Sequence, residues 1–90
     1  MVVLEKARDG IHKYQVTLDG KTIKFGAKGY TDFTKSGDEA RKELYLNRHR
    51  NREDWSYAGR YSPGFWARWI LWNKRSVSAS LADVRHRFGL

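Results

Sequence analysis

The sequence has no cysteine, a single proline and a single methionine among its 90 residues. The absence of cysteine excludes disulfide bonds, thiolate metal ligands and cysteine nucleophiles. No hydrophobic run approaches the ~18 residues of a membrane-spanning helix, and no signal peptide is recognisable, so we expect no membrane span. The length suits a single domain over residues 1–90.

Acidic residues are scarce, because 10 Asp and Glu stand against 18 Lys and Arg, for a net charge of +8. Residues 1–37 carry a net charge of +3, residues 38–54 are neutral, and residues 55–90 carry +5. Six of the eight Lys precede residue 40, whereas nine of the ten Arg follow it. Because guanidinium is a planar fork that suits phosphates, carboxylates and aromatic rings, we expect the contact surface in the second half of the chain.

Two Asp-Gly dipeptides, at 9–10 and 19–20, predict β-hairpin turns, because glycine readily supplies a positive φ. A tight first turn would pair Lys6 with Lys13, so a longer first loop is the alternative. Strands are predicted at about 2–7, 11–18 and 21–27. A two-residue second turn sets a register that places apolar residues on one face. Its predicted pairs are Leu18 with Lys21, Val16 with Ile23, and Tyr14 with Phe25.

Residues 36–90 predict three helices separated by short connections. Ser36 and Glu39 have capping-box spacing, which predicts a helix over about 38–52. Residues 53–62 are a predicted loop, and Ser62-Pro63 predicts the start of a largely apolar helix at about 63–73. Ser76 predicts the start of a last helix near 77–88. The residues expected to face inward are Ala40, Leu44 and Tyr45 in the first helix and Leu81, Val84 and Phe88 in the last, with Arg85 and Arg87 outward.

The predicted fold is therefore α+β. It consists of a three-stranded antiparallel β-meander over 1–35, followed by a helical part over 36–90 with three short helices packed on one face of the sheet. Three short strands cannot bury a core alone, so helices must cover one face.

No motif indicates catalysis. His12, His49 and His86 lack metal-ligand spacing, and the alternating serines at 76, 78 and 80 lack the context of a nucleophile. The adjacent carboxylates Glu53 and Asp54 are typical of ion-pair partners rather than of an acid–base pair. We therefore predict no enzymatic activity, no metal site and no cofactor.

Two features indicate binding. The block Arg48, Arg50 and Arg52 suits a phosphate backbone. The alternative, which the sequence leaves open, is a helix end whose charge is neutralised by Glu39, Glu43, Glu53 and Asp54. The candidate residues for a nucleic acid or an acidic partner are Arg48, Arg50, Arg52, Arg60, Arg68, Lys74, Arg75, Arg85 and Arg87.

The second feature is the aromatic run between Trp55 and Trp72, which suits stacking on arginine, on bases or on a protein partner. Its alternative is the hydrophobic core, since a small domain needs large side chains there. We expect two of Trp66, Trp69 and Trp72 in the core and at least one tryptophan at an interface. The candidates for interface or core are Trp55, Phe65, Trp66, Trp69 and Trp72.

A family resemblance rests on three elements in order. They are Lys28-Gly-Tyr-Thr-Asp-Phe-Thr34, then Arg48-His-Arg50 with Arg52-Glu53, then Gly64-Phe-Trp-Ala-Arg-Trp-Ile-Leu-Trp-Asn-Lys74. Over about 28–88 the chain resembles a family of small basic proteins of nucleocytoplasmic large DNA viruses. It departs from that family at Ser62-Pro63 and at Arg75, where proline is common. The resemblance implies a viral origin and assigns no activity.

Two functions follow as expectations. The first is a non-enzymatic minor capsid or cement protein of the virion, with other virion proteins as partners. It would also be found in the host cytoplasm or viral factory during infection. The alternative is a sequence-nonspecific DNA- or RNA-binding protein that uses the Arg-rich, Trp-rich C-terminal part. A nuclease or other enzyme would need acidic metal ligands around a cleft, which the sequence does not suggest.

Overall fold

The computed structural model describes residues 2–90. A meander comes first, with the sheet order β1-β2-β3, and the helical part follows, so the predicted α+β class is confirmed. The strands are β1 (Val3–Lys6), β2 (His12–Leu18) and β3 (Lys21–Ala27). The helices are α1 (Phe33–Ser36), α2 (Glu39–His49), a 3₁₀ turn (Tyr57–Gly59), α3 (Pro63–Trp66), which continues as a π-helical turn (Ala67–Leu71), and α4 (Val77–Phe88).

The second hairpin has the predicted register. Asp19 and Gly20 form the two-residue turn with φ of 52° and 76°. The strand pairs are Leu18 with Lys21, Val16 with Ile23, and Tyr14 with Phe25. Turn chemistry and apolar alternation agree here, which is why the sequence specifies this hairpin so well.

The first hairpin has the longer loop. Lys6 pairs with Tyr14 rather than with Lys13. Asp9 Oδ1 accepts hydrogen bonds from the backbone N–H groups of Ile11 and His12, both at 2.9 Å. The carboxylate therefore stabilises the wider loop, and two lysines do not face each other across the strands.

The start of α2 and the short helix before it differ from the prediction. Asp38 is the N-cap of α2, and its side chain accepts a hydrogen bond from Arg41 N–H, so the capping box at Ser36 was wrong. The predicted end at residue 52 was also wrong, because α2 ends at His49. The chain before it forms α1, which has Asp32 as its N-cap and Gly37, with φ 61°, as its C-cap. The left-handed Gly37 ends α1 and separates it from α2.

The inward face of α2 also differs from the prediction. Ala40 is exposed, and Leu44 is 53% exposed, so both were wrongly expected to face inward. The buried or half-buried positions are Lys42, Tyr45, Leu46 and His49. This set has helical spacing, but only Leu46 is an aliphatic residue, so a search for apolar periodicity misses it.

The hydrophobic core lies between the sheet and a helical layer made of α3, the π-helical turn and α4. Val16 and Phe25 of the sheet face Phe65 and Trp66 of α3, and Val84 of α4 completes the cluster. The helix predicted over 63–73 is α-helical only at Pro63–Trp66, with the predicted N-cap at Ser62. In α4, Leu81 and Phe88 are half-buried against the core, while Arg85 and Arg87 are exposed as predicted.

Candidate functional site

Arg68, on the π-helical turn, contacts three tryptophans. Its Cζ atom is 4.2 Å from the ring centroid of Trp69 and 5.5 Å from that of Trp55. Its Nη1 donates a hydrogen bond of 2.7 Å to the carbonyl oxygen of Trp72. These contacts hold the guanidinium plane in place, because both the rings and the carbonyl select one orientation.

Trp69 receives a second arginine from another element. The Cζ atom of Arg87, in the last turn of α4, is 4.6 Å from the Trp69 ring centroid. Arg87 Nε also donates to Asp83 Oδ2 at 3.2 Å. The Trp69 indole N–H donates to the Trp55 carbonyl at 2.9 Å, which fixes the ring. Arg68, Arg87, Trp55 and Trp69 therefore form one surface unit, which we call the arginine–tryptophan cluster.

The electrostatics of the cluster favour an anion. Burial lowers the pKa of Arg68, and the positive charges of Arg87 and Arg50 act in the same direction. The guanidinium nevertheless remains cationic at neutral pH, because its ordinary pKa is so high. The charges of Arg50, Arg68 and Arg87 thus repel one another here, and the Asp83 carboxylate beside Arg87 offsets part of this repulsion.

The arginines at the end of α2 have no carboxylate partner in the part of the chain that the structure describes. The Lys and Arg side chains that do have one within 4.0 Å are Arg8, Lys13, Lys24, Arg41 and Arg87. Glu53, expected as a partner of these arginines, instead lies 2.9 Å from His49 Nδ1 and accepts from the Trp55 indole. Asp54 accepts from Ser56. Arg48, Arg50 and Arg52 are therefore not neutralised locally, which disfavours the ion-paired alternative.

The other predicted cations lie in separate places. Arg60 stacks on Tyr57 and Tyr61, with distances of 3.9 and 4.6 Å from Cζ to the ring centroids. The Arg75 guanidinium lies against Gly37. Arg85 Nη2 donates to the Val2 carbonyl at 3.2 Å, and Lys74 is exposed. The structure thus brings Arg68 and Arg87 together and places Arg60, Arg75 and Arg85 against other residues, while the charge of Lys74 acts on Asp83, the carboxylate beside Arg87.

The predicted aromatic set divides between core and surface. Phe65 and Trp66 are 0% exposed, so they belong to the core. Trp55, Trp69 and Trp72 are half-buried. Trp69 and Trp72 pack against the core from its edge, which leaves part of each ring accessible.

Sequence reasoning missed three aromatic contributions. Tyr57 and Tyr61 bind Arg60, and Tyr45 stacks on Trp72 with a centroid distance of 4.4 Å. Tyr45 also stacks on His49 at 4.2 Å. The spacing of four residues between Tyr45 and His49 was the available signal, because side chains so spaced meet on a helix.

Within residues 2–90, no group of three or more His, Asp or Glu side chains is arranged to hold a metal ion. No helix in the same described part of the chain has the length and hydrophobicity needed to cross a bilayer.

Comparison with known proteins gives one match. The model of a family of unknown function, DUF5754, matches residues 2–49, which is more than half of the chain, so the chain belongs to that family. The match spans the meander, α1 and α2. No curated protein and no solved structure is significantly similar to the chain.

Proposed function

We propose that this member of the DUF5754 family is a non-enzymatic interaction protein that binds an anionic partner through the arginine–tryptophan cluster. The observation that carries the proposal is Arg68 held against Trp69 and Trp55, with Arg87 on the same Trp69 ring. Arginine and tryptophan are the residue types most enriched among those that dominate binding energy. Arg68 is already ordered by these rings, so binding costs less side-chain entropy.

The place we propose for this role is the particle of a large DNA virus, as a minor capsid or cement protein. The support is the resemblance of residues 28–88 to small basic proteins of such viruses, together with an ordered cationic and aromatic surface. The partners would be acidic faces of neighbouring virion proteins. During infection the protein would also be present in the host cytoplasm or viral factory.

The test is the amount of this protein in purified particles, with cross-linking mass spectrometry to identify its neighbours. We expect a stoichiometric amount, and cross-links from neighbouring acidic segments to Lys74, which lies close to the cluster in sequence. Replacing Arg87 by Gln should weaken incorporation. Replacing Arg8 by Gln should not, and it is a matched control because Arg8 is also an arginine with a carboxylate within 4.0 Å. Detection only in infected-cell extracts, never in particles, would contradict the virion role.

A second candidate function is sequence-nonspecific binding of DNA or RNA. The observation that favours it is the group Arg48, Arg50 and Arg52, which has no carboxylate within 4.0 Å in the described chain. The charge of Arg50 acts on Arg68, so Arg50 adds to the positive charge of the cluster. Phosphates are the anions such a surface meets along a nucleic acid.

A further inference from the structure

A cleft of about 610 Å³ lies between α2 and the loop at 29–31. One wall consists of residues on α2 with Trp72 stacked against Tyr45, and Tyr30 contributes to the other side. We call it the α2 cleft. Neither Arg68, Arg87 nor Trp69 lines it, so it is a different surface from the arginine–tryptophan cluster. Its volume is within the range of about 300–1,000 Å³ that is usual for small-molecule sites.

The side of the cleft is a column of three aromatic rings. Trp72 and Tyr45 are nearly parallel, with an angle of 6° and a centroid distance of 4.4 Å. His49 continues the column, 4.2 Å from Tyr45 and at 25° to it. A further planar ring can be added to such a column, since stacked aromatic rings attract one another. The side chain of Tyr30, which is 72% exposed, adds another ring at the opposite wall.

Two cations complete the cleft. Arg41 and Arg48 both line it and are seven residues apart on α2, which places them on one face of the helix about 10 Å apart along its axis. Between them lies Leu44, 53% exposed to solvent. No Asp or Glu of residues 2–90 is among the lining residues. Arg41 Nε lies 4.0 Å from Asp38 Oδ2, whereas Arg48 has no carboxylate within 4.0 Å in residues 2–90, so the cleft combines ring surface with one paired and one unpaired arginine.

The walls of the cleft are held before any ligand binds. Lys42 Nζ donates to the Asn73 carbonyl at 2.8 Å, which ties α2 to the segment that carries Trp72. Lys13 Nζ donates to the Tyr30 carbonyl and lies 2.6 Å from Asp32 Oδ2. The side chains of Lys13 and Asp32 are 8% and 2% exposed, so this ion pair anchors the loop from inside. A preformed site loses little conformational entropy on binding.

We infer that the α2 cleft binds a nucleotide, with the base against the ring column and the phosphate at Arg41 or Arg48. A bare phosphate would leave the rings and Leu44 unused. A base inside a duplex has its faces covered by its neighbours, whereas an unpaired base exposes them for stacking. The nucleotide can be a free one or one unit of a single strand, because the two share this chemistry.

The test compares two variants of the full chain that add the same negative charge to α2. Leu44→Glu places a carboxylate in the cleft, and Asn47→Glu places it at an exposed position that does not line the cleft. Binding is measured by fluorescence anisotropy with a labelled 12-nucleotide oligo-dT strand and with a duplex that contains it. Because the added carboxylate lies between Arg41 and Arg48 and repels a phosphate bound there, Leu44→Glu should weaken single-strand binding by about tenfold or more relative to Asn47→Glu. The two variants should bind the duplex equally.

The outcomes separate this inference from the proposed function. Equal single-strand affinity of the two variants would overturn the nucleotide assignment and leave duplex binding through the cluster intact. No binding of either DNA at low salt would overturn the nucleic-acid candidate, and no binding of dTMP as well would also overturn the nucleotide assignment. Leu44-dependent binding of a Glu- and Tyr-rich peptide, with no DNA binding, would assign the cleft to a protein instead. Titration with dTMP distinguishes the two sources: Leu44-dependent binding supports a free nucleotide, and oligo-dT binding alone supports a strand.

Discussion

Gly26 is the residue of β3 whose backbone packs closely against Leu71 of the helical part. Its φ is +76°, a conformation that L-residues with a side chain rarely adopt. A Cβ atom there would be 2.8 Å from Leu71 Cδ1 and 3.3 Å from Lys13 Cβ. Leu71 belongs to the buried core, so it has little room to move. Both backbone freedom and close packing therefore require glycine at this site.

Gly26→Ala should lower the free energy of unfolding by about 2–4 kcal/mol, from backbone strain together with overpacking. Urea denaturation followed by circular dichroism measures this change. The matched control is Gly10→Ala, where φ is also +76° but no atom lies within 4 Å of the added Cβ. That control should lose about 1–2 kcal/mol from strain alone. An equal loss in both variants would show that the contact with Leu71 is not tight.

At the level of elements, the π-helical turn determines which of its side chains are buried in the core and which remain at the surface. Residues Ala67–Leu71 follow the α-helical Pro63–Trp66, and the N–H of Trp72 donates to the Ala67 carbonyl, five residues earlier. This wider turn buries Ile70 and Leu71 and leaves Arg68 and Trp69 half-exposed. Such π turns occur frequently at functional sites, and this one presents the arginine–tryptophan cluster.

Trp66→Ala and Trp69→Ala remove the same side chain from two consecutive turns, so each is the control for the other. Trp66 is fully buried, and its indole N–H donates to the Arg60 carbonyl at 2.7 Å, so its loss should cost about 3–5 kcal/mol and unfold much of the population. Trp69 is half-buried, so the second variant should stay folded with a loss of about 1–2 kcal/mol. Thermal unfolding by circular dichroism measures both. A larger loss for Trp69→Ala would place that ring in the core and weaken the proposed surface role.

Over the whole molecule, the distribution of carboxylates matters more than the net charge of +8. Several acidic groups serve local structure: Asp9 pairs with His12, Asp32 with Lys13, and Glu53 with His49. Backbone and side-chain hydrogen bonds from His12 hold the pKa of Asp9 well below its usual range, so this group stays ionised in its loop. Carboxylates used in this way do not neutralise the arginines of the second half.

If the molecule binds nucleic acid through about six phosphate contacts, its affinity for duplex DNA should fall by roughly 10³-fold between 50 and 200 mM salt. Fluorescence anisotropy over that range gives the slope of log affinity against log salt. Arg50→Gln should reduce this slope by about one contact. Arg8→Gln, on the loop after β1, should leave it unchanged. A slope near zero in the parent protein would exclude an electrostatic phosphate surface.

Part of the structure could be predicted from the sequence because it depends on interactions between residues close in the chain. The second hairpin, the N-caps at Ser62 and Ser76, and the outward arginines of α4 depend on neighbouring residues, and all were predicted correctly. The inward face of α2 was not, because its half-buried members include Lys42 and Tyr45, whose partners Asn73 and Trp72 are distant in the chain.

The sequence by itself determined the order of strands and helices, the excess of arginine in the second half and the supply of large rings. Only the tertiary structure decided which of these residues act together. Arg68 and Arg87 are nineteen positions apart and meet on Trp69 because α4 packs against the π-helical turn. The α2 cleft likewise combines residues of α2 with Trp72, which meet because Tyr45 stacks on Trp72. Contacts of this kind depend on how the elements pack, whereas composition and periodicity report only what each segment carries.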